Sequence, residues 1–161
     1  MSDGARLAAT AAAVFALDRA TKWLVVEVMD LRGLGAIEVW PGFIALRMAW
    51  NRGINFGILA SGSEAARWAL IAMALAISAG VAWWALRRGG AVLALGAGLL
   101  VGGALGNALD RWLYGAVADF LNVTCCGIAN PWAFNVADVA IFAGALGLAF
   151  APSPAGDGRR A

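Results

Sequence analysis

Histidine is absent from this 161-residue sequence, and cysteine, proline and lysine are scarce. Without histidine, Ser-His and Cys-His nucleophilic catalysis and the usual zinc sites are excluded. The two cysteines, Cys125 and Cys126, are neighbours, so a disulfide between them is strained and their spacing matches no metal site. We therefore expect both thiols to be incidental loop residues, and we expect neither a metal nor a cofactor.

Charged residues are also few, at 14% of the chain, whereas 62% of residues are hydrophobic and the mean hydropathy is +0.77. A soluble domain of this size needs far more polar surface. Residues 68–86, 91–109 and 133–152 each approach the ~20 apolar residues that cross a bilayer. Residues 6–28 form a fourth apolar segment, interrupted by Asp18, Arg19, Lys22 and Glu27. The sequence predicts an all-α membrane protein, one integral domain over residues 1–161 with four transmembrane helices.

The charge distribution says little about partners and only weakly indicates orientation. The net charge is +2 and no basic run is present, so we expect no nucleic-acid partner. Four spans put both termini on one side of the membrane, but the arginines divide equally between the two sides. Because Arg87 and Arg88 crowd a very short turn, the positive-inside rule favours cytoplasmic termini.

The stretch between the first two predicted spans, about residues 29–66, carries strand patterns. Residues 36–40 and 43–48 have the composition of short strands, and they are joined at Pro41-Gly42. We expect this stretch to form a small periplasmic β-sheet subdomain on the outer membrane surface.

Two aspartates lie at the ends of consecutive apolar segments. Asp119 is in the connection 111–132 that follows the third span, and Asp138 is at the start of the fourth. A carboxylate near hydrocarbon is costly and therefore rare without a function. Two carboxyl groups that meet at a membrane interface can share a proton, one acting as base and the other as acid. This pattern favours an aspartic protease.

Other polar residues have a helical spacing. Asp18 and Lys22 are four residues apart on one face of the first span. They form either an ion pair that allows this helix to be inserted or a pair with a direct functional role. In the third span, Gly98, Gly102 and Gly106 share a face, which indicates close helix packing.

The predicted topology gathers polar side chains on one side of the membrane. These are Asp18, Asn51, Asn107, Asp110, Asp119, Asn135 and Asp138. Scattered structural residues have no reason to cluster in this way, so the coincidence indicates a site. A proton-coupled transporter subunit and an assembly factor with polar packing contacts are the alternatives. A transporter is expected to show inverted halves with broken helices, and this sequence has no such symmetry.

Five short blocks contain these polar residues and appear in a fixed order between residues 18 and 142. They are Asp18-Arg19-Ala20-Thr21-Lys22, Asn51-Arg52-Gly53-Ile54-Asn55-Phe56, Gly102-Gly103-Ala104-Leu105-Gly106-Asn107-Ala108-Leu109-Asp110-Arg111, Val117-Ala118-Asp119-Phe120 and Phe134-Asn135-Val136-Ala137-Asp138. In their order and spacing the chain resembles the lipoprotein signal peptidases of bacteria, also called signal peptidase II.

The resemblance implies an aspartic endopeptidase of the bacterial inner membrane. Its substrates and partners would be prolipoproteins with a diacylglyceryl-modified cysteine, cleaved before that cysteine, together with membrane lipid. Both termini would be cytoplasmic, the site would lie near the periplasmic face, and a short surface helix would accompany the sheet.

The resemblance also implies roles for individual residues. The catalytic pair would be Asp119 and Asp138. From their own chemistry, Asn107 and Asn135 are candidates to hold the carboxyl groups or the substrate by hydrogen bonds. The remaining residues expected to bind substrate or support the site are Asp18, Lys22, Asn51, Gly53, Asp110 and Arg111.

Overall fold

The computed structural model describes residues 1–53, 63–124 and 130–151. The described elements are the helices α1 (Asp3–Lys22), α2 (Leu31–Leu34), α3 (Glu64–Arg88), α4 (Ala91–Tyr114) and α5 (Val136–Ala149), and the strands β1 (Ala36–Trp40), β2 (Ile44–Asn51) and β3 (Val117–Val123). A π-helical segment, Trp23–Val28, continues α1.

Two of the described helices, α3 and α4, are long and apolar enough to cross a membrane. They contain the predicted spans 68–86 and 91–109. Helix α5 is shorter than the predicted span 133–152, since it begins only after Asn135, which caps its first turn. The charged helix α1 and its π-helical continuation cover the predicted span 6–28. The mostly helical fold is confirmed, whereas the count of four transmembrane helices stays a prediction.

Helix α4 is the centre of the bundle and packs against α1, α3 and α5. Its glycine face allows α1 to approach closely, as predicted. A Cβ at Gly98 would lie 2.7 Å from the Thr10 Cβ, and one at Gly102 would lie 2.5 Å from the Ala11 carbonyl oxygen. A Cβ at Gly106 would lie 2.6 Å from an Asp18 carboxylate oxygen. Because these glycines have no side chain, α1 and its charged residues pack directly against the end of α4.

A second set of glycines brings α5 against another face of α4. A Cβ at Gly103 would lie 2.5 Å from the Ala137 carbonyl oxygen, and one at Gly144 would lie 2.6 Å from the Gly96 carbonyl oxygen. Because Ala137 precedes Asp138, this contact fixes the start of α5 beside the polar end of α4.

The three strands form one antiparallel sheet in the order β1-β2-β3. The predicted hairpin between β1 and β2 is confirmed, and β2 is longer than expected. Strand β3 was not predicted, since residues 111–132 were expected only to connect two spans. The sheet therefore extends beyond the predicted subdomain of residues 29–66.

Strand β3 lacks the usual alternation because both of its faces are covered. Phe120 packs into a buried cluster with Val25, Leu31 and Leu46. Its neighbour Asp119 points to the opposite face and is only 3% exposed. The sheet thus places this carboxyl group at a protected position beside the helices.

Candidate active site

The position of Asp119 is determined by strand pairing. Asp119 is opposite Ala49 in the register of β2 and β3, and Asn51 follows two residues along β2. The amide Nδ2 of Asn51 donates a hydrogen bond to Asp119 Oδ2 at 3.1 Å. Gly115, with φ +75°, ends α4 and turns the chain into β3. A tight turn and a strand register together hold the carboxyl group.

The position of Asp138 is determined by the first turn of α5. The Asn135 side chain caps this helix, accepting a hydrogen bond at Oδ1 from the Asp138 N–H at 2.9 Å. In return, Asp138 Oδ2 accepts from the Asn135 N–H at 3.3 Å. This capping box fixes the Asp138 side chain, which is less buried than Asp119.

Two amide side chains link the two aspartates. Asn135 Nδ2 donates to Asp119 Oδ1 at 2.6 Å and also lies 3.2 Å from Asn107 Oδ1. Asn107 Nδ2 donates to Asp138 Oδ1 at 2.9 Å. Asn135 is fully buried and Asn107 is 7% exposed. The carboxyl groups therefore belong to one buried hydrogen-bonded network built from β3, α4 and α5.

The surroundings of Asp119 favour its neutral form. Burial raises the pKa of Asp119 to about 7, and the negative charge of Asp138 acts in the same direction. Hydrogen bonds from Asn51 and Asn135, and the positive charge of Lys22, oppose this rise. Near neutral pH, Asp119 is therefore able to hold a proton while it remains hydrogen-bonded.

A buried cluster of charges supports this network from α1. Lys22 Nζ lies 2.8 Å from Asp18 Oδ2, 2.6 Å from Asp110 Oδ2 and 3.2 Å from Asn107 Oδ1. Arg19 also pairs with Asp110. The predicted Asp18–Lys22 ion pair is present, and it also contacts the amide that binds Asp138.

Asp18 and Asp110 also bind the backbone next to the two carboxyl groups of the candidate pair. Asp18 Oδ1 accepts from the Ala137 N–H at 3.2 Å, and Asp110 Oδ2 accepts from the Ala118 N–H at 3.2 Å. Ala137 precedes Asp138, and Ala118 precedes Asp119. Each supporting aspartate therefore anchors the backbone that carries one member of the candidate pair.

Arg111 connects the network to the segment after β2. Its Nη2 donates to the Gly53 carbonyl oxygen at 2.6 Å, and its Nη1 donates to the Asn107 carbonyl oxygen at 3.3 Å. The Gly53 N–H donates to Asn51 Oδ1 at 3.1 Å. Arg111 is 9% exposed, and its Nε is buried without a hydrogen-bond partner within the described ranges. Arg111 thus ties the end of α4 to the residues that follow β2.

A groove of about 250 Å³ opens between α3, α4 and α5 and reaches Asp138. Its walls are mostly apolar, and Asp138, Asn107 and Arg111 provide the polar groups. The apolar lining residues are Leu70, Met73, Ala74, Ile77, Leu100, Ala104 and Ile141. An extended apolar segment lying in this groove would meet one carboxyl group directly.

All ten residues proposed from the sequence lie in or beside this network. Sequence reasoning missed Arg19 as a partner of Asp110, and it missed the backbone amides of Ala118 and Ala137. The available signals for Arg19 were its charge inside the predicted first span and its place beside Asp18 in the first block. Residues 54–56 of the second block, together with Cys125 and Cys126, lie outside the described residues. Among the residues that are described, no group of three or more His, Cys, Asp or Glu side chains could hold a metal ion.

Comparison with known proteins gives a consistent assignment. A family model described as signal peptidase (SPase) II matches residues 10–152. The lipoprotein signal peptidase of Methylobacterium sp. (strain 4-46) is 43% identical over 140 residues, which cover 87% of this chain and 84% of that protein. The lipoprotein signal peptidase of Rhizorhabdus wittichii is 45% identical over 139 residues, covering 84% of this chain and 78% of that protein.

Solved structures agree with the sequence relatives. A bacterial membrane enzyme solved at 2.3 Å resolution has a TM-score of 0.74 and 28% identity, covering 86% of this chain and 82% of that chain. Another, solved at 1.9 Å, has a TM-score of 0.72 and 25% identity, covering 87% of each chain. With a family model and close relatives that span most of its length, this chain belongs to the signal peptidase II family of bacterial membrane proteases.

Proposed function

We propose that the chain is an aspartic endopeptidase whose catalytic pair is Asp119 and Asp138. The observation that carries this proposal is the position of Asn135, which binds Asp119 through its side chain and Asp138 through its backbone N–H. One buried residue therefore holds two carboxyl groups that come from different elements. The arrangement favours a protease over the transporter subunit or assembly factor that the composition also allows.

The two carboxyl groups have different environments, which suits opposite roles. Asp119 is buried and its pKa is raised, so we assign it the proton near neutral pH. Asp138 lines the groove, so we assign it the ionised role of general base. These assignments describe the resting state of the pair.

In the proposed reaction, Asp138 takes a proton from water as the water oxygen attacks the scissile carbonyl carbon. Asp119 gives its proton to the carbonyl oxygen, which forms a neutral tetrahedral diol. Asp138 then passes its proton to the leaving nitrogen while the C–N bond breaks, and Asp119 recovers a proton from the diol. Both carboxyl groups return to their starting state, and one water is consumed.

The apolar groove supports a substrate with an apolar segment next to the cleaved bond. Because the relatives are named lipoprotein signal peptidases, we propose diacylglyceryl-modified prolipoproteins, cleaved before the lipidated cysteine. The signal peptide would lie along α3 and α5, and the acyl chains of the lipidated cysteine would stay in membrane lipid.

Incubation of the purified protein with a diacylglyceryl-modified prolipopeptide, and with an unmodified control peptide, tests this proposal. We expect cleavage of the modified peptide only. Asp119→Asn and Asp138→Asn keep size and hydrogen bonding but remove proton transfer, so each is expected to lose ~10²–10⁴-fold in rate. The double variant should lose little more rate than either single variant, because the two carboxyl groups act as a unit.

The double variant Cys125→Ser, Cys126→Ser is the matched control, since the proposed reaction uses no thiol. It should retain most of its activity at normal membrane abundance, and chelators should have no effect. Activity above about a tenth in either Asn variant would refute the assignment of the pair. Loss beyond about tenfold in the cysteine variant would instead indicate a direct role for a thiol or for the residues around Cys125 and Cys126.

A further inference from the structure

The last two turns of α3 present two tryptophans and two arginines on one face. The Arg87 Cζ lies 5.6 Å from the centroid of the Trp83 ring, and the Arg88 Cζ lies 5.8 Å from that of Trp84. Each pair is four residues apart, so the two pairs run side by side along the helix. Trp83 is 63% exposed and Trp84 is 37% exposed. We call these four residues the Trp–Arg patch.

The patch points away from the helix bundle. Ala85, on the other side of this helical turn, is 1% exposed and belongs to a core cluster with Leu7 and Leu93. Helix α3 is long and apolar enough to cross a membrane, and the patch occupies its end. Tryptophan is enriched at the membrane–water interface, and arginine extends from apolar surroundings to the headgroup level. The patch is therefore expected to face lipid headgroups.

The charge of the patch is not compensated by protein groups among the described residues. Four described arginines lie over tryptophan rings, and two of these are also paired with a carboxylate. Arg32 lies 3.3 Å from Glu27, and Arg67 lies 2.8 Å from Glu64. Arg87 and Arg88 form no such ion pair within the parts of the chain that are described. The difference singles out the end of α3 as a site for an external anion.

A nearby acidic residue is already engaged. Asp3 reaches the turn after α3, where its Oδ2 accepts from the Gly90 N–H at 2.7 Å. Its Oδ1 is 2.7 Å from Arg6 Nη1. Asp3 therefore stabilises the turn and pairs with Arg6, and within the described ranges it leaves the two adjacent guanidinium groups without an acidic partner.

We propose that the Trp–Arg patch binds the phosphate of an anionic phospholipid headgroup. Two adjacent guanidinium groups offer planar N–H forks that match phosphate oxygens. The tryptophan rings restrict both guanidinium groups and contact the upper part of the acyl chains. This site is separate from the candidate catalytic pair, and the inference does not depend on the proposed reaction.

Native mass spectrometry of the full-length protein, titrated with phosphatidylglycerol or phosphatidylcholine in detergent, tests the site. R87Q/R88Q is expected to lower the affinity for phosphatidylglycerol about 30-fold, since each interfacial arginine contributes about a 5-fold attraction to anionic lipid. Phosphatidylcholine binding should change less than about 3-fold. R87K/R88K, which keeps the charge but loses the planar fork, should give an intermediate loss.

The matched control is R32Q/R67Q, which removes two arginines that also lie over tryptophans but already pair with carboxylates. Its affinity for phosphatidylglycerol is expected to lie within about 3-fold of the wild-type affinity. An unchanged affinity in both R87Q/R88Q and R87K/R88K would overturn the proposal. An equal loss of phosphatidylglycerol affinity in R32Q/R67Q would also overturn the proposal, because the affinity would then depend on the total charge of the protein.

Discussion

At the scale of single residues, Asn135 combines two tasks. Its side-chain oxygen caps α5, and its side-chain nitrogen holds Asp119. Serine is as good a helix cap as asparagine, but it has no amide nitrogen to reach the carboxyl group. A substitution at this position can therefore separate the stability of the helix from the geometry of the site.

We expect Asn135→Ser to keep the cap of α5, and hence a higher thermal stability than Asn135→Ala, while kcat/KM on a modified prolipopeptide falls at least about tenfold. The loss corresponds to a hydrogen bond worth ~1.5 kcal/mol. Asn135→Ala should lose activity and also destabilise α5 by ~1 kcal/mol. Wild-type activity in the serine variant would show that the bond to Asp119 does not contribute to the reaction.

The raised pKa of Asp119 predicts a pH dependence. Activity is proposed to need a protonated Asp119, so kcat/KM should fall as the pH rises through about 7. The hydrogen bond from Asn51 stabilises the ionised form and lowers this pKa. Asn51→Ala should therefore move the alkaline limb of the pH–rate profile to higher pH. A limb that stays in place or moves to lower pH would contradict this assignment of the proton.

Residue spacing explains which parts of the site could be predicted. Local helix geometry brings together Asp18 and Lys22, which are four residues apart, and Asn135 and Asp138, which are three apart. Both contacts can therefore be predicted from the sequence. The pairing of Arg19 with Asp110 depends on how α1 crosses α4. The backbone amides of Ala118 and Ala137 carry no side-chain signal at all. Contacts of these kinds become visible only in the folded structure.

At the scale of elements, small residues decide how closely the helices approach. Gly102 of α4 contacts α1 so closely that a Cβ would lie 2.5 Å from the Ala11 carbonyl oxygen and 2.8 Å from the Val14 Cβ. Gly80 of α3 has nothing within 4 Å of the same position. The two glycines therefore form a matched pair for testing helix packing.

Gly102→Ala is expected to destabilise the protein by ~1–3 kcal/mol, because α1 must shift away from α4. Gly80→Ala should be neutral or stabilising by up to ~1 kcal/mol, since alanine has the higher helix propensity. Thermal unfolding in one detergent measures both effects. If the two variants had equal stability, close packing at Gly102 would not hold α1 in place.

Strand β3 is the element that sequence patterns did not reveal. Alternation is the usual signal of a strand, but here Val117, Ala118, Asp119 and Phe120 are all buried. The consequence is functional, because a shift of one residue in the strand register would turn Asp119 to the opposite face of the sheet. The candidate pair Asp119 and Asp138 could be proposed from the sequence, whereas the support of Asp119 by β2 could not.

At the scale of the whole molecule, the polar network and the Trp–Arg patch lie at opposite ends of the bundle. The network joins the last turns of α1 and α4 to the first turn of α5, whereas the patch is at the end of α3 that leads into the start of α4. Arginine counts alone do not distinguish the two sides, because each predicted side carries five. The orientation is therefore predicted from the family's orientation and from the clustering of the network on one side, and not from the total charge.

We predict that both termini are cytoplasmic and that the sheet and the candidate site face the periplasm. Reporter fusions after Gly35, which precedes β1, and after Gly89, which follows α3, test this orientation. A phosphatase that is active only outside the cytoplasm should be active at Gly35 and inactive at Gly89. A fluorescent protein that matures only in the cytoplasm should give the reverse pattern. Cytoplasmic fluorescence at Gly35 would contradict this orientation, because it would place the sheet and the candidate catalytic pair on the cytoplasmic side of the membrane.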